Sequence, residues 1–279
     1  MPDKSFPDLD AYGELSHKKK IKVLSWNIWW KFENYLKRQD LIFYEIKKLA
    51  PDILCLQEVW EDKDGSQAQE ISNLLGYEYK YFKSYEFDGV SFGNSIISRY
   101  PIIKFCSHLI PTKKEFNENR SLLHAELLYN EQKINVLCTH LNYKYNESDI
   151  RQDQIKFILS YIGKLESSSF PNILCGDFNA DPMSDEIRMI VGLSNPIDRV
   201  VLKDVWQINN PDNPGYTWSN KNIYAKKTLE PNRRIDYIFV GNPGKNGLGH
   251  PIKTHLVGAE MRDNIYPSDH FGIITHLEG

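Results

Sequence analysis

The chain lacks what several large classes of protein require. Its 279 residues include four cysteines, with no Cys-x-x-Cys pair, so neither a disulfide framework nor a cysteine-based zinc site is expected. Cys55, Cys138 and Cys175 lie inside the apolar runs DILCLQ, INVLCTH and NILCGDF. With Cys106 they read as free thiols, which points to a reducing compartment. No run of about 18 apolar residues occurs, so no membrane-spanning helix is expected. No apolar stretch of signal-peptide length follows the polar start, so a cytoplasmic location is expected. An excess of one charge is also missing. A formal net charge of −3 gives no bulk attraction to polyanions or anionic lipid, and leaves only local patches to supply it. No Ser/Gly-rich or Pro-rich linker and no short repeat breaks the chain after Ile21. Residues 1–19 therefore read as a flexible arm and 20–279 as one domain with a large core. Nothing in the pattern calls for an obligate protein partner.

Short apolar strands alternate with helical periodicity. Ile21–Trp26 reads as a strand. Leu41, Ile42, Glu45, Ile46 and Leu49 fall on one helical face that stops before Pro51. Ile53–Leu56 is a buried strand, and Ala68–Leu75 a helix ended by Gly76. Tyr77–Tyr85, Ser95–Ser98 and Ile102–His108 are β-prone. Leu122–Leu128 and Lys133–Thr139 form a hairpin joined by Tyr-Asn-Glu-Gln. Ile155, Ile158, Leu159 and Ile162 mark another helix, and strands follow at Ile173–Cys175, Arg234–Val240 and Phe271–His276. Many strands with a few interleaved helices predict two mixed sheets packed face to face with helices outside.

The informative residues are the polar ones that end these strands. Asn27 follows Leu24-Ser25-Trp26, and Gln57 and Glu58 follow Ile53–Leu56. His140 and then Asn142 follow Val136–Thr139, and Asp177 and Asn179 follow Ile173–Gly176. Asp236 interrupts Ile235 and Tyr237, and Ser268, Asp269 and His270 stand just before Phe271–Ile274. Any one of these is an ordinary turn residue. Taken together they supply hard oxygen ligands, amides and two imidazoles at strand ends, where sheet scaffolds assemble sites. That inventory suits Mg²⁺-assisted phosphoryl chemistry, with Mn²⁺ as a substitute. Zinc is a poor fit, since no HExxH or Cys/His spacing is present.

These segments resemble the endonuclease/exonuclease/phosphatase superfamily. The resemblance rests on LSWNIWW (Asn27), DILCLQEVW (Glu58), NSIISRYPI, NRSLLHAEL (Arg120), VLCTHLNY (His140, Asn142), ILCGDFNADP (Asp177, Asn179), RRIDYIFV (Asp236) and SDHFGI (Ser268, Asp269, His270). They occur in the family's order and span about 21–276. The resemblance implies a four-layer α/β sandwich of the DNase I-like type and a metal-dependent hydrolase of phosphoric esters. It implies Glu58 as the principal metal ligand, with Asn27 supporting and Asp269 nearby. Asp177 would hold or deprotonate the attacking water, Asn179 would orient Asp177 or contact the phosphate, and Asp236 would pair with His270 and hold its ring. His140 would be a second histidine, and Arg120 and Asn142 would contact substrate.

The substrate is less legible. EVW after the metal carboxylate, GVSFGNSIISRYPI and THLNYKYNESDIRQDQ look similar to the neutral sphingomyelinase-like branch. Lys221, Lys226, Lys227, Arg233 and Arg234 predict a basic rim by the site, suited to nucleic acid or a phosphorylated headgroup. Three readings stand: a phosphodiesterase on a lipid or small phosphorylated molecule, a nuclease or DNA-repair phosphodiesterase, and a catalytically silent binding protein of the same fold.

Overall fold

The computed structural model describes residues 19–113, 119–195 and 197–279. The arm expected over 1–19 therefore lies, except for Lys19, outside the described residues. Among the described residues thirteen strands and five α-helices follow in chain order: β1 Lys20–Asn27, α1 Tyr35–Leu49, β2 Ile53–Asp62, β3 Gly65–Ser66, α2 Gln67–Leu75, β4 Glu78–Phe87, β5 Val90–Ser98, β6 Ile102–Leu109, β7 Ser121–Tyr129, β8 Gln132–His140, α3 Ser148–Gly163, β9 Ile173–Asp177, α4 Asp185–Ile190, β10 Lys203–Asp204, α5 Val205–Asn209, β11 Asp236–Val240, β12 Pro251–Val257 and β13 Gly272–Glu278.

Two mixed sheets result. One runs β12-β13-β1-β2-β5-β4, with β3 beside β2, and the other runs β10-β11-β9-β8-β7-β6. Each sheet has one parallel pair near its centre, β1 with β2 and β8 with β9, and the remaining neighbours are antiparallel. The four-layer sandwich that the sequence predicts is present. Its central strands read as unbroken apolar runs because they are buried on both faces. Val23, Cys55, Val136, Cys138, Ile173 and Cys175 point between the sheets. Their alternates Leu24, Leu54 and Leu56 meet Ile42 and Ile46 of α1, while Leu137 and Leu174 meet Ile155, Ile158 and Leu159 of α3. Each fully buried Leu or Ile contributes about 1.5–3 kcal/mol.

Local chemistry sets the ends of the elements. Gly76, at φ 70°, closes α2 in the left-handed region, where a side chain is disfavoured. The hairpin between β7 and β8 turns through Asn130 and Glu131 at φ 45° and 64°, the handedness that a two-residue turn between twisted strands requires. Cys55, Cys138 and Cys175 are buried free thiols, as their apolar settings predict, and Cys106 is a half-buried one.

Candidate functional site

Strand register assembles the site. His140, Asp177 and Asp236 occupy one row across β8, β9 and β11, because His140 pairs with Asp177 and Asp177 with Asp236. In the other sheet Asn27 pairs with Gln57 at the same end of β1 and β2. Glu58 needs a further device. Strand alternation would send it toward the helices, like Leu54 and Leu56. Instead the register between β2 and β5 slips between Leu56 and Val59, and Glu58 sits at φ 57°. This bulge turns the carboxylate into the cleft, while Gln57 stays between the sheets and donates to Cys138 Sγ at 3.3 Å.

The groups converge across the gap between the sheets. Asn27 Nδ2 donates to Glu58 Oε1 at 3.0 Å and to Asp177 Oδ2 at 3.0 Å. Its Oδ1 accepts from the Trp29 amide at 3.0 Å. Asn27 thus presents N–H groups to the site and couples its two halves. Asp177 Oδ1 accepts from the Asn179 amide at 2.9 Å, and Asn179 Nδ2 donates to the Leu141 carbonyl at 3.2 Å. His140 Nε2 and His270 Nε2 both approach Asp177 Oδ2, at 3.5 and 3.7 Å. His270 Nδ1 bonds Asp236 Oδ2 at 2.9 Å. Ser268 Oγ donates to the Asn27 carbonyl at 2.7 Å and lies 3.2 Å from the His270 amide, so the Ser-Asp-His turn is pinned to the end of β1.

Burial and neighbouring charge set the protonation states. For His270, burial alone favours the neutral ring, but the charges of Asp236, Asp177 and Asp269 outweigh it and hold the imidazolium well above its ordinary value. His140 goes the other way. Burial, then Arg120 and His270, push it well below the ordinary imidazole range, so its ring is neutral. Burial and the nearby Asp236 raise Asp177 to about 6. Burial raises Asp269 to about 7, against His270 and helped by the charge of Glu58. Burial raises Glu58 as well.

The donor chemistry fits a hard divalent cation. Half-buried Glu58 and buried Asp269 are carboxylates facing one cleft, each costly to ionise there without a countercharge. Asp177, Asp236 and His270 also bring one ligand atom each within 4.8 Å of one another. The bond between His270 and Asp236 already occupies part of that cluster.

The cleft has a volume of about 360 Å³ and includes Glu58, Arg120, His140, Asp177, Asn179, Asp269 and His270 in its lining. Asn27 and Asp236 support it from behind. Asn142 is not among the lining residues. It is 1% exposed, with Nδ2 donating to Glu147 at 2.8 Å and Oδ1 accepting from the Lys144 amide at 3.0 Å. Its position is that of a loop brace, because Arg151 links the same loop, through the Lys144 carbonyl at 2.6 Å, to Glu186 at 2.7 Å. Of the five cations expected to form a basic rim, Arg233 alone lines the cleft, and it bonds Asp181 at 2.9 Å. Arg234 is buried against Asp204 at 2.6 Å, and Lys227 reaches Glu33 at 3.0 Å.

Several lining residues carry no strand-end signature in the sequence. Phe32, Phe92, Tyr143 and Tyr145 line the cleft with Trp29 and Trp218. The Trp218 ring stands edge-on to His270 at 4.9 Å. Thr217 Oγ1 accepts from the Asp236 amide at 3.2 Å, and its carbonyl accepts from Phe271 at 2.8 Å, so one residue ties β11 to the histidine turn.

Sandwich and strand-end cluster together define a two-sheet α/β protein with a carboxylate–imidazole site at the ends of its parallel strands. The model of the Endonuclease/Exonuclease/phosphatase family matches residues 24–270, and the chain belongs to that family. Protein angel homolog 2 of Mus musculus is 33% identical over 174 residues, which cover 58% of this chain and 30% of that protein. The chain therefore spans about a third of such relatives. Tyrosyl-DNA phosphodiesterase 2 of Danio rerio is 27% identical over 263 residues, covering 91% of this chain and 66% of the relative. A putative neutral sphingomyelinase of Drosophila melanogaster is 25% identical over 243 residues, 79% and 52% of the two chains. A crystal structure of D. rerio TDP2 complexed with single strand DNA product shares the fold at a TM-score of 0.74 and 24% identity, covering 93% and 99% of the two chains. Among the described residues no helix is long and apolar enough to cross a membrane.

Proposed function

We propose that the chain is a Mg²⁺-dependent phosphodiesterase, with Mn²⁺ as an acceptable substitute. The observation that carries this reading is the meeting of Glu58, Asn27, Asp177 and two imidazoles at the seam between the sheets. Family membership and relatives named as a DNA phosphodiesterase and a sphingomyelinase support it. Glu58 and Asp269 would hold the ion, and Asn27 orients the Glu58 carboxylate. When bound, the ion neutralises charge on the phosphoryl oxygens that would otherwise repel a nucleophile.

The remaining steps belong to the protein's own groups. Asp177, held by Asn27 and Asn179, accepts a proton of the attacking water and fixes its line of approach. The His270 imidazolium, kept charged by Asp236, donates to a phosphoryl oxygen from Nε2. Neutral His140 hydrogen-bonds the same oxygen, the leaving alkoxide takes up the proton that Asp177 drew from the water, and Arg120 adds a further cation at the cleft wall.

A panel of DNA, RNA, sphingomyelin, inositol phosphates, phosphomonoesters and an activated diester, run with Mg²⁺ and with EDTA, tests the reading. We expect diester hydrolysis that EDTA abolishes and that Glu58→Ala, Asp177→Ala and His270→Ala each lower strongly in kcat. Wild-type turnover in any of the three would refute the role given to that residue. Inactivity on every diester would favour a binding protein instead.

A further inference from the structure

The segments that carry Glu58 and Asp269 meet at one buried side chain behind the cleft. Arg38 lies on α1, is 1% exposed, and is not among the lining residues. A guanidinium presents its N–H donors in a fixed plane, and those of Arg38 go to main-chain carbonyls. Nη1 donates to Ile28 at 3.2 Å and to Pro267 at 3.0 Å. Nη2 donates to Trp29, Trp30 and Phe32 at 2.8, 2.9 and 2.8 Å, and Nε donates to Phe32 at 3.2 Å.

Those carbonyls belong to the two segments that place the carboxylates. Residues 28–32 follow Asn27 directly. Within them the Ile28 amide donates to the Gln57 carbonyl at 3.0 Å, and the Trp30 amide to the Glu58 carbonyl at 2.9 Å. The residues whose amides clamp the Glu58 bulge therefore offer their carbonyls to Arg38. Their backbone is bent unfavourably to do so. Trp29 and Trp30 sit at φ 59° and 33°, where bulky side chains are disfavoured. Such a conformation persists only where its surroundings enforce it. Pro267, the other carbonyl, precedes Ser268, Asp269 and His270. One planar group thus ties the Glu58 bulge to the Asp269 turn. Mg²⁺ tolerates little error in the placement of its ligands, whereas Ca²⁺ accepts a looser cage. We propose, resting on the reading of Glu58 and Asp269 as the ion's ligands, that Arg38 is the positioning residue of the cation site and holds the two carboxylates at the spacing that Mg²⁺ requires.

Charge and positioning predict opposite outcomes, which makes the role testable. Burial lowers Arg38 only to about 10, so it remains a cation at neutral pH. A cation near the site repels a second one, and by charge alone Arg38→Met would bind Mg²⁺ more tightly. Lost positioning makes it bind more weakly. Arg38→Lys keeps the charge without the planar fork, and it too should bind more weakly. Calorimetric titration of the substrate-free protein with Mg²⁺ and with Ca²⁺, on variants that circular dichroism shows to be folded, reads both constants. The Kd for Mg²⁺ should rise roughly 10- to 100-fold in each variant, and that for Ca²⁺ by less. An unchanged or tighter Mg²⁺ Kd in either variant overturns the proposal, as does an equal loss for the two ions. Should Arg38→Met not fold, Arg38→Lys decides alone; if neither folds even in excess Mg²⁺, Arg38 serves the fold and the proposal is overturned. If the wild type binds no Mg²⁺, or Glu58→Ala binds it equally well, the cation reading itself fails, before any Arg38 variant is compared, and the proposal falls with it.

Discussion

Replacing Asp236 with Asn isolates what a single charge does for His270. The substitution keeps shape and leaves an amide oxygen where Oδ2 now lies 2.9 Å from Nδ1. What disappears is a unit charge whose centre lies about 4 Å from that of the imidazolium, worth about 4 kcal/mol at an effective dielectric near 20. That equals about three pKa units. The ring is 5% exposed, so solvent screens little of this. His270 is held well above its ordinary value by Asp236, Asp177 and Asp269 against burial. Removing the first of these should bring it down and leave less of the ring as imidazolium on the alkaline side. The basic limb of the pH–rate profile should move to lower pH, and kcat on that limb should fall, by at most the roughly 10²- to 10⁴-fold that a positioned acid contributes. Ring-carbon NMR titration of His270 reads the shift directly. A titration unmoved by more than half a unit would refute the argument that the Asp236 charge, and not hydrogen-bond geometry, keeps the ring protonated.

Three further outcomes follow. Asp177 and Asp269 are raised to about 6 and about 7, so in the metal-free protein their ionisation costs stability that sets in as pH rises past the unfolded carboxylate value and is complete above those folded values. Mg²⁺ should therefore raise Tm clearly at about pH 8 and little at about pH 5, where it must displace protons; equal shifts in scanning fluorimetry would contradict this. Gly176→Ala places a Cβ 2.2 Å from the Thr139 carbonyl of the neighbouring strand, which should cost about 3 kcal/mol in urea unfolding, and a loss under 1 kcal/mol would show that β9 yields. Arg38, 1% exposed, donates to the carbonyls of Ile28, Trp29, Trp30, Phe32 and Pro267. Arg38→Met should cost about 3–5 kcal/mol by leaving those carbonyls unpaired, measured by the same unfolding curve; a near-neutral effect would show that water replaces the guanidinium.

The fold was legible because its central strands are buried on both faces and so appear as compact apolar words, each ended by a polar residue. β1, β2, β8 and β9 announce themselves this way. β12 does not. Its run Pro251–Val257 mixes Lys253, Thr254 and His255 with apolar residues because it is an edge strand with a half-open face. The two-residue strands β3 and β10 are too short for any period to show. The same contrast governs the site. Groups at strand ends could be named from sequence, whereas Tyr143, Tyr145, Phe92 and Trp218 reach the cleft from loops or a strand face whose orientation only tertiary packing decides. Asn142 stands in a conspicuous motif, and only the structure shows that its side chain bonds Glu147 and the Lys144 amide in the loop beneath the tyrosines. For a related reason, counting cations along the chain cannot show that Arg234 and Lys227 already have carboxylate partners.

Asn27 bonds one carboxylate from each sheet, so the spacing between Glu58 and Asp177 is that of the two sheets themselves. Side chains such as Cys55, Cys138 and Ile173, far from any solvent, act as shims that gauge this opening. A methylene added or removed among them should retune turnover with every reactive group left intact, which makes the interior of the sandwich the natural place to look for distant mutations that alter rate.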